Sequence, residues 1–124
     1  MGRPIVYIAG PLSATPGRSQ WDNVRAAMKA AHEVMDAGGA PQCPHLFHFL
    51  EVEKARPYEE WMEVDLALLR RCDVLWRLPG ASPGADREVQ AAVEDFWVPV
   101  VHSIEEVREA LAFARANPRA VRRG

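Results

Sequence analysis

The sequence predicts an α/β fold: a small doubly wound, flavodoxin-like parallel sheet of four to five strands, order about 2-1-3-4, with helices on both faces. Three observations carry this. Short apolar runs recur along the chain and read as strands buried on both faces. Between them lie segments whose apolar residues repeat at three- and four-residue steps, the helical period. Caps and Gly/Pro breaks fall at the joints. Strands alternating with helices imply parallel pairing through right-handed crossovers.

The elements follow in order. "PIVYIA" (4–9) is an apolar run ending at Gly10-Pro11 and is the first strand. "PLSATPGRSQ" is a loop. From Trp21, the residues Trp21, Val24, Met28, Ala31 and Met35 form a stripe, so a helix runs to the break at Gly38-Gly39. "APQCPH" (40–45) is a short strand, because Pro41 and Pro44 remove ladder donors. "LFHFLEVEKARP" reads as an irregular connection. "YEEWMEVDLALLRRC" (58–72) is a helix and "DVLWRLP" (73–79) the third strand. "SPGADREVQAAVEDFW" (82–97) is a helix with Ser82 as N-cap and Pro83 at its first position. "VPVVH" (98–102) is the fourth strand. "SIEEVREALAFARAN" (103–117) is a terminal helix opened by a Ser-x-x-Glu capping box.

Composition sets the outer limits. A chain of 124 residues, 48% hydrophobic and 26% charged, is expected to be one domain over 1–124 that builds a core without disulfides. Net charge is −2, and the one run of like charge is the tail "RAVRRG". That speaks against a nucleic-acid polymer or a membrane surface as the partner. The opening "MGRPIVYIAG" is too short for a signal peptide or a membrane span, so a cytoplasmic protein is expected. Cys43 and Cys72 have neither metal nor redox spacing and are expected as reduced thiols.

In such sheets, ligands bind at the carboxyl ends of the strands near the switch in strand order. Two acids point there. Asp65 lies among Trp61, Met62, Leu68 and Leu69, in the middle of an apolar stripe. It is either a core acid tied to a backbone group or an Arg, or a site carboxylate, since an ionised carboxylate is costly there otherwise. Glu88 borders the stripe Ala85, Val89, Ala92, Val93 and Phe96, near the start of its helix, where the dipole favours the ionised form. The "GASPG" loop offers backbone N–H groups at that helix start, suited to an anion or a hydroxyl-rich ligand. Tyr7 in the first strand is either core or a partner of Glu88. Asp73 is expected to cap the preceding turn. His45, His48 and Cys43 match no standard metal site, and no metal is expected.

Those residues resemble a known family. "YIAGPLS", "APQCPH" and "DLALLRRCDVLWRLPGASPGADREVQAA" are similar to the nucleoside 2-deoxyribosyltransferase-like superfamily, over nearly the whole chain. The superfamily contains deoxyribosyltransferases, deoxynucleoside 5′-monophosphate N-glycosidases and a domain family of unassigned function, to which this chain looks most similar. The specific part is Asp65, Asp73, Ser82, Gly84 and Glu88. The resemblance implies Glu88 as nucleophile, Asp65 assisting the base or sugar, and Tyr7 touching Glu88. It implies substrate contacts from Gly10, Pro11, Leu12, His45, Ser82 and Gly84, and no cofactor. It also implies a small nucleoside or nucleotide as partner, and a homodimer or homotetramer. Trp97 and "DFWVPVV" are the expected self-contact. The pattern departs where the N-glycosidases carry a second Gly and a Tyr: Asp86 and Arg87 stand there. The loop after the first strand lacks an early Arg, and Arg18 is the available substitute.

Two other readings stay open. One is a non-catalytic nucleotide-binding or sensor domain with the same fold. The other is a hydrolase of the cytokinin-activating, lysine-decarboxylase-like type, for which Arg77 stands ahead of the loop but the second Gly is absent.

Overall fold

The computed structural model describes residues 2–117. The basic tail lies outside the described residues. Four strands form one parallel sheet in the order β2-β1-β3-β4: β1 Ile5–Ala9, β2 Ala40–Gln42, β3 Val74–Arg77 and β4 Val100–Val101. The helices are α1 Gln20–Asp36, α2 His48–Glu53, α3 Tyr58–Leu69, α4 Pro83–Ala91 and α5 Ile104–Ala116.

Period-two alternation divides the core. Val6, Ile8, Val74 and Trp76 face one side, where they pack with Ala27, Ala30 and Val34 of α1 and Val107 and Leu111 of α5. Tyr7, Ala9 and Leu75 face the other, against Leu69 of α3 and Ala85 of α4. β1 sits between β2 and β3, and Tyr7 lies level with Leu75 and Gln42. The chain order reverses at β1, so the loops after β1 and β3 part and leave a crevice.

Several expectations are corrected. The buried stripe of α1 is Asn23, Val24, Ala27, Ala30 and Val34, whereas Trp21 and Met35 are exposed. Ser19 and Asp22 form a reciprocal capping box that starts this helix. Asn23 belongs to the buried stripe although it is polar, so an apolar pattern does not register it. The connection expected to be irregular is helical up to Glu53, a 3₁₀ turn at Pro44–Phe47 followed by α2, and irregular over 54–57. No residue of α2 is buried, so it presents no apolar period to read.

The α4 segment does not run straight to residue 97. It widens into a π segment at Ala92–Phe96 and ends at Trp97, which takes the left-handed conformation. Val98 must be extended because Pro99 follows. Val93, expected inward, is exposed. At α5, Ser103 caps Glu106 N, but Glu106 accepts from His102 N rather than from Ser103, so half of the expected box forms. Asp73 does not cap its own turn. It accepts Ile5 N–H at 2.7 Å and returns its own N–H to Ile5 O, clamping the start of β1.

Candidate active site

Tyr7 and Glu88 meet on the sheet face covered by α4. Tyr7 Oη donates to Glu88 Oε2 at 2.6 Å. β1 aims Tyr7 because its alternation sends every second residue to this face. α4 aims Glu88 because its buried positions, Ala85, Glu88 and Ala91, recur at three-residue steps. Glu88 is 6% exposed, more deeply set than its place beside the predicted stripe implied. Asp65 comes from α3, whose Met62 and Leu69 are buried on either side of it in sequence. It lies within hydrogen-bonding reach of Glu88, and its Oδ1 is buried without a donor among the described residues.

Burial dominates the electrostatics. It pushes the Asp65 carboxyl up to about 6 and that of Glu88 up to about 8. For Glu88 the Tyr7 bond and the Arg77 charge act the other way, and the Asp65 charge adds to the rise. The pair therefore holds one proton near neutral pH. Tyr7 is held well above its usual range, by burial first and then by the Glu88 charge, so it stays a neutral donor. The higher value falls on Glu88, so at neutral pH the shared proton rests on Glu88 and Asp65 is the ionised member, while the Tyr7 bond to Glu88 Oε2 pulls toward the opposite arrangement.

A cavity of about 550 Å³ opens over this pair. The structure brings all the expected contact positions to it: Gly10, Pro11 and Leu12 after β1, His45 after β2, and Ser82 and Gly84 at the start of α4. Ser82 is the N-cap, accepting Ala85 N at 3.1 Å. Gly84 is small for a reason: a Cβ there would stand 3.0 Å from Tyr58 Oη. His45 is buried, and its Nε2 donates to Pro11 O at 3.1 Å, which fixes the loop after β1. Burial lowers its pKa, so it is a neutral clamp.

Some of the site was missed in the sequence. Asn23 Nδ2 donates to Leu12 O and Ser13 O, both at 3.1 Å, and its Oδ1 accepts Arg18 Nε at 2.6 Å. Arg18 is thereby tied to the first turn of α1. Tyr58 lines the cavity from the first turn of α3 and sits under Arg87, which pairs with Glu59. Arg77 donates to Leu78 O, to Gly80 O at 3.0 Å and to Asp86 Oδ1 at 3.0 Å, folding the 78–81 loop back on itself. Gly80 is required in that loop, with φ +112 and Pro11 Cγ 2.8 Å from where a Cβ would be. The spacing of Arg77 and Asp86 was the only sequence signal for this latch. His48 and Cys43 do not join a metal cluster, and none of three or more His, Cys, Asp or Glu exists among the described residues. No helix of the described residues is long and apolar enough to cross a membrane.

The fold is an α/β sheet with a buried glutamate, a half-buried aspartate and a tyrosine near its switch point, and comparison supplies the family. The chain belongs to the family described as "Domain of unknown function (DUF7768)", whose model matches residues 4–100. No curated protein matches the chain. Among solved structures it is similar to the 2-deoxyribosyltransferase of the psychrotolerant bacterium Bacillus psychrosaccharolyticus, an enzyme characterised for the synthesis of antiviral and antitumoral nucleosides. The TM-score is 0.59 at 20% identity, over 77% of this chain and 69% of that one. The likeness is one of fold, and it is the fold the sequence resemblance implied.

Proposed function

We propose that the protein cleaves or transfers the N-glycosidic bond of a nucleoside or nucleoside 5′-monophosphate, with Glu88 as nucleophile. The observation that carries this is the buried Tyr7–Glu88 hydrogen bond at 2.6 Å with Asp65 beside it. A structural acid needs a cation or several donors; this one faces a second acid and a cavity.

The steps follow from the three groups. Glu88 passes the shared proton to Asp65, and its carboxylate attacks the anomeric carbon as the glycosidic C–N bond breaks through an oxocarbenium-like transition state. The bonding electrons pass to the base nitrogen, which takes the proton from Asp65. The sugar is then an ester of Glu88. Water, giving its proton to Asp65, or an acceptor base attacks the same carbon and releases Glu88. Tyr7 holds the carboxylate oxygen in line throughout. A binding or sensor domain needs no such pair, which places that reading second.

The test uses Glu88→Gln, which keeps shape and removes the charge. Base release, followed by chromatography over a panel of nucleosides and monophosphates, is expected to fall by about 10⁴-fold or more, as when other covalent nucleophiles are removed. Mass spectrometry of the wild type with a 2′-fluoro nucleoside is expected to find the sugar on the peptide that holds Glu88. Near-normal turnover in Glu88→Gln overturns the mechanism.

A further inference from the structure

We propose that this cavity selects a nucleoside without a phosphate, an uncharged sugar–base compound, over the corresponding 5′-monophosphate; the proposal rests on the glycosyl-transfer reading above. The argument is one of charge and donors. Among the described residues lining the cavity, Asp65 and Glu88 are the acids, with one negative charge between them near neutral pH, and none is Lys or Arg. His45, the one basic side chain among those residues, is buried and bonded to Pro11 O.

The arginines around the cavity are each committed elsewhere. Arg18 bonds Asn23 Oδ1 at 2.6 Å and Asp22 O. Arg56 pairs with Glu60 at 3.1 Å. Arg87 grips both carboxylate oxygens of Glu59, at 2.9 and 3.1 Å. Arg77 is held by two loop carbonyls and Asp86.

The helix start that lines the cavity is also a poor phosphate cradle. Pro83 has no N–H, Ala85 N–H goes to Ser82 Oγ, and Asp86 N–H goes to Ser82 O. That leaves Gly84 in the first turn, and the same turn carries the Asp86 carboxylate. A phosphate dianion entering here meets acids, and the arginines nearby are already hydrogen-bonded to protein oxygens. A sugar meets the same acids as acceptors, because its hydroxyls donate and phosphate oxygens do not.

The experiment compares each nucleoside with its 5′-monophosphate on the wild-type protein. The kcat/KM for base release is expected to favour the nucleoside by about 100-fold at low ionic strength, the scale on which a like charge a few ångströms away acts on an ionised group. The preference is expected to shrink as salt rises, because screening acts on charge and not on shape. Melting shifts at equal ligand concentration read the same preference without turnover, with the larger shift for the nucleoside. A monophosphate preference, or a ratio that ignores salt, overturns this inference and leaves the glycosyl-transfer reading standing. Nucleosides that bind but are never cleaved overturn the glycosyl-transfer reading, while their larger melting shift still upholds the charge preference. A protein that neither cleaves nor is shifted by either compound overturns both.

Discussion

Tyr7 Oη and Glu88 Oε2 stand 2.6 Å apart although 81 residues separate them in sequence. The contact joins the central strand to the helix that follows the switch point, so it is set by the fold rather than by local structure. It also lowers the pKa of Glu88, against the burial that raises it.

Tyr7→Phe removes that donor and little volume. A hydrogen bond to a charged group contributes about 1.5–3 kcal/mol, so kcat is expected to fall about 10- to 100-fold. Because Glu88 must be ionised to attack, and because the lost bond favoured ionisation, the acid limb of the kcat profile is expected to move to higher pH. A rate loss with an unmoved limb would leave Tyr7 a packing residue.

The two carboxyls tie stability to pH. Asp65 rises from 3.8 to about 6 and Glu88 from 4.5 to about 8 on folding. Both folded values lie above the unfolded ones, so the folded state binds more protons between them. Their contribution is present below about pH 4 and is lost as pH climbs to about 8. Asp65→Asn removes one of the acids and is expected to flatten this slope. The variant is expected to be more stable than the wild type by on the order of 1–3 kcal/mol at pH 8, while base release falls. Denaturant unfolding at pH 4 and pH 8 measures the difference. A loss of several kcal/mol instead would make Asp65 a structural acid.

Arg77 latches the loop that delivers α4. Arg77→Met leaves Gly80 O and Asp86 without that donor, with an expected loss of about 1–3 kcal/mol. It also removes a cation that lowers the Glu88 pKa, so the acid limb is expected to shift upward in pH. Arg77→Lys keeps the charge but lacks the fork that reaches both carbonyl and carboxylate. It is expected to lose stability while keeping the pH profile. Paired melting curves and pH–rate profiles separate the two roles.

Much of this was legible in the sequence, for a physical reason. Continuous apolar runs and helical stripes reflect burial directly, so the four strands, their order and the inward set of Asp65 and Glu88 could be read. What escaped reading depends on polar groups or on the absence of burial. Asn23 is buried yet polar, and it holds the loop after β1 through two carbonyls. α2 buries nothing. Asp73 works on a residue 68 positions away, and nothing local signals Ile5 as its partner. The π widening before Trp97 is a correction over one turn, below the resolution of a periodic pattern.

Trp97 carries the last prediction. It adopts φ 55 and ψ 39 and is 80% exposed, with Val93 beside it 57% exposed. A side chain in the left-handed region costs about 1–2 kcal/mol relative to the right-handed one. Glycine has no such cost but gains freedom in the unfolded chain, about 0.5–1 kcal/mol against folding. The two effects oppose, and an indole so exposed contributes little packing, so Trp97→Gly is expected to change monomer stability by less than about 1 kcal/mol. We propose that the indole and Val93 form a self-contact in a homodimer. Sedimentation at micromolar concentration is then expected to show a wild-type dimer and a Trp97→Gly monomer of unchanged melting behaviour. A variant that still sediments as a dimer would move the contact to another face, and a wild type found only as monomer would remove it.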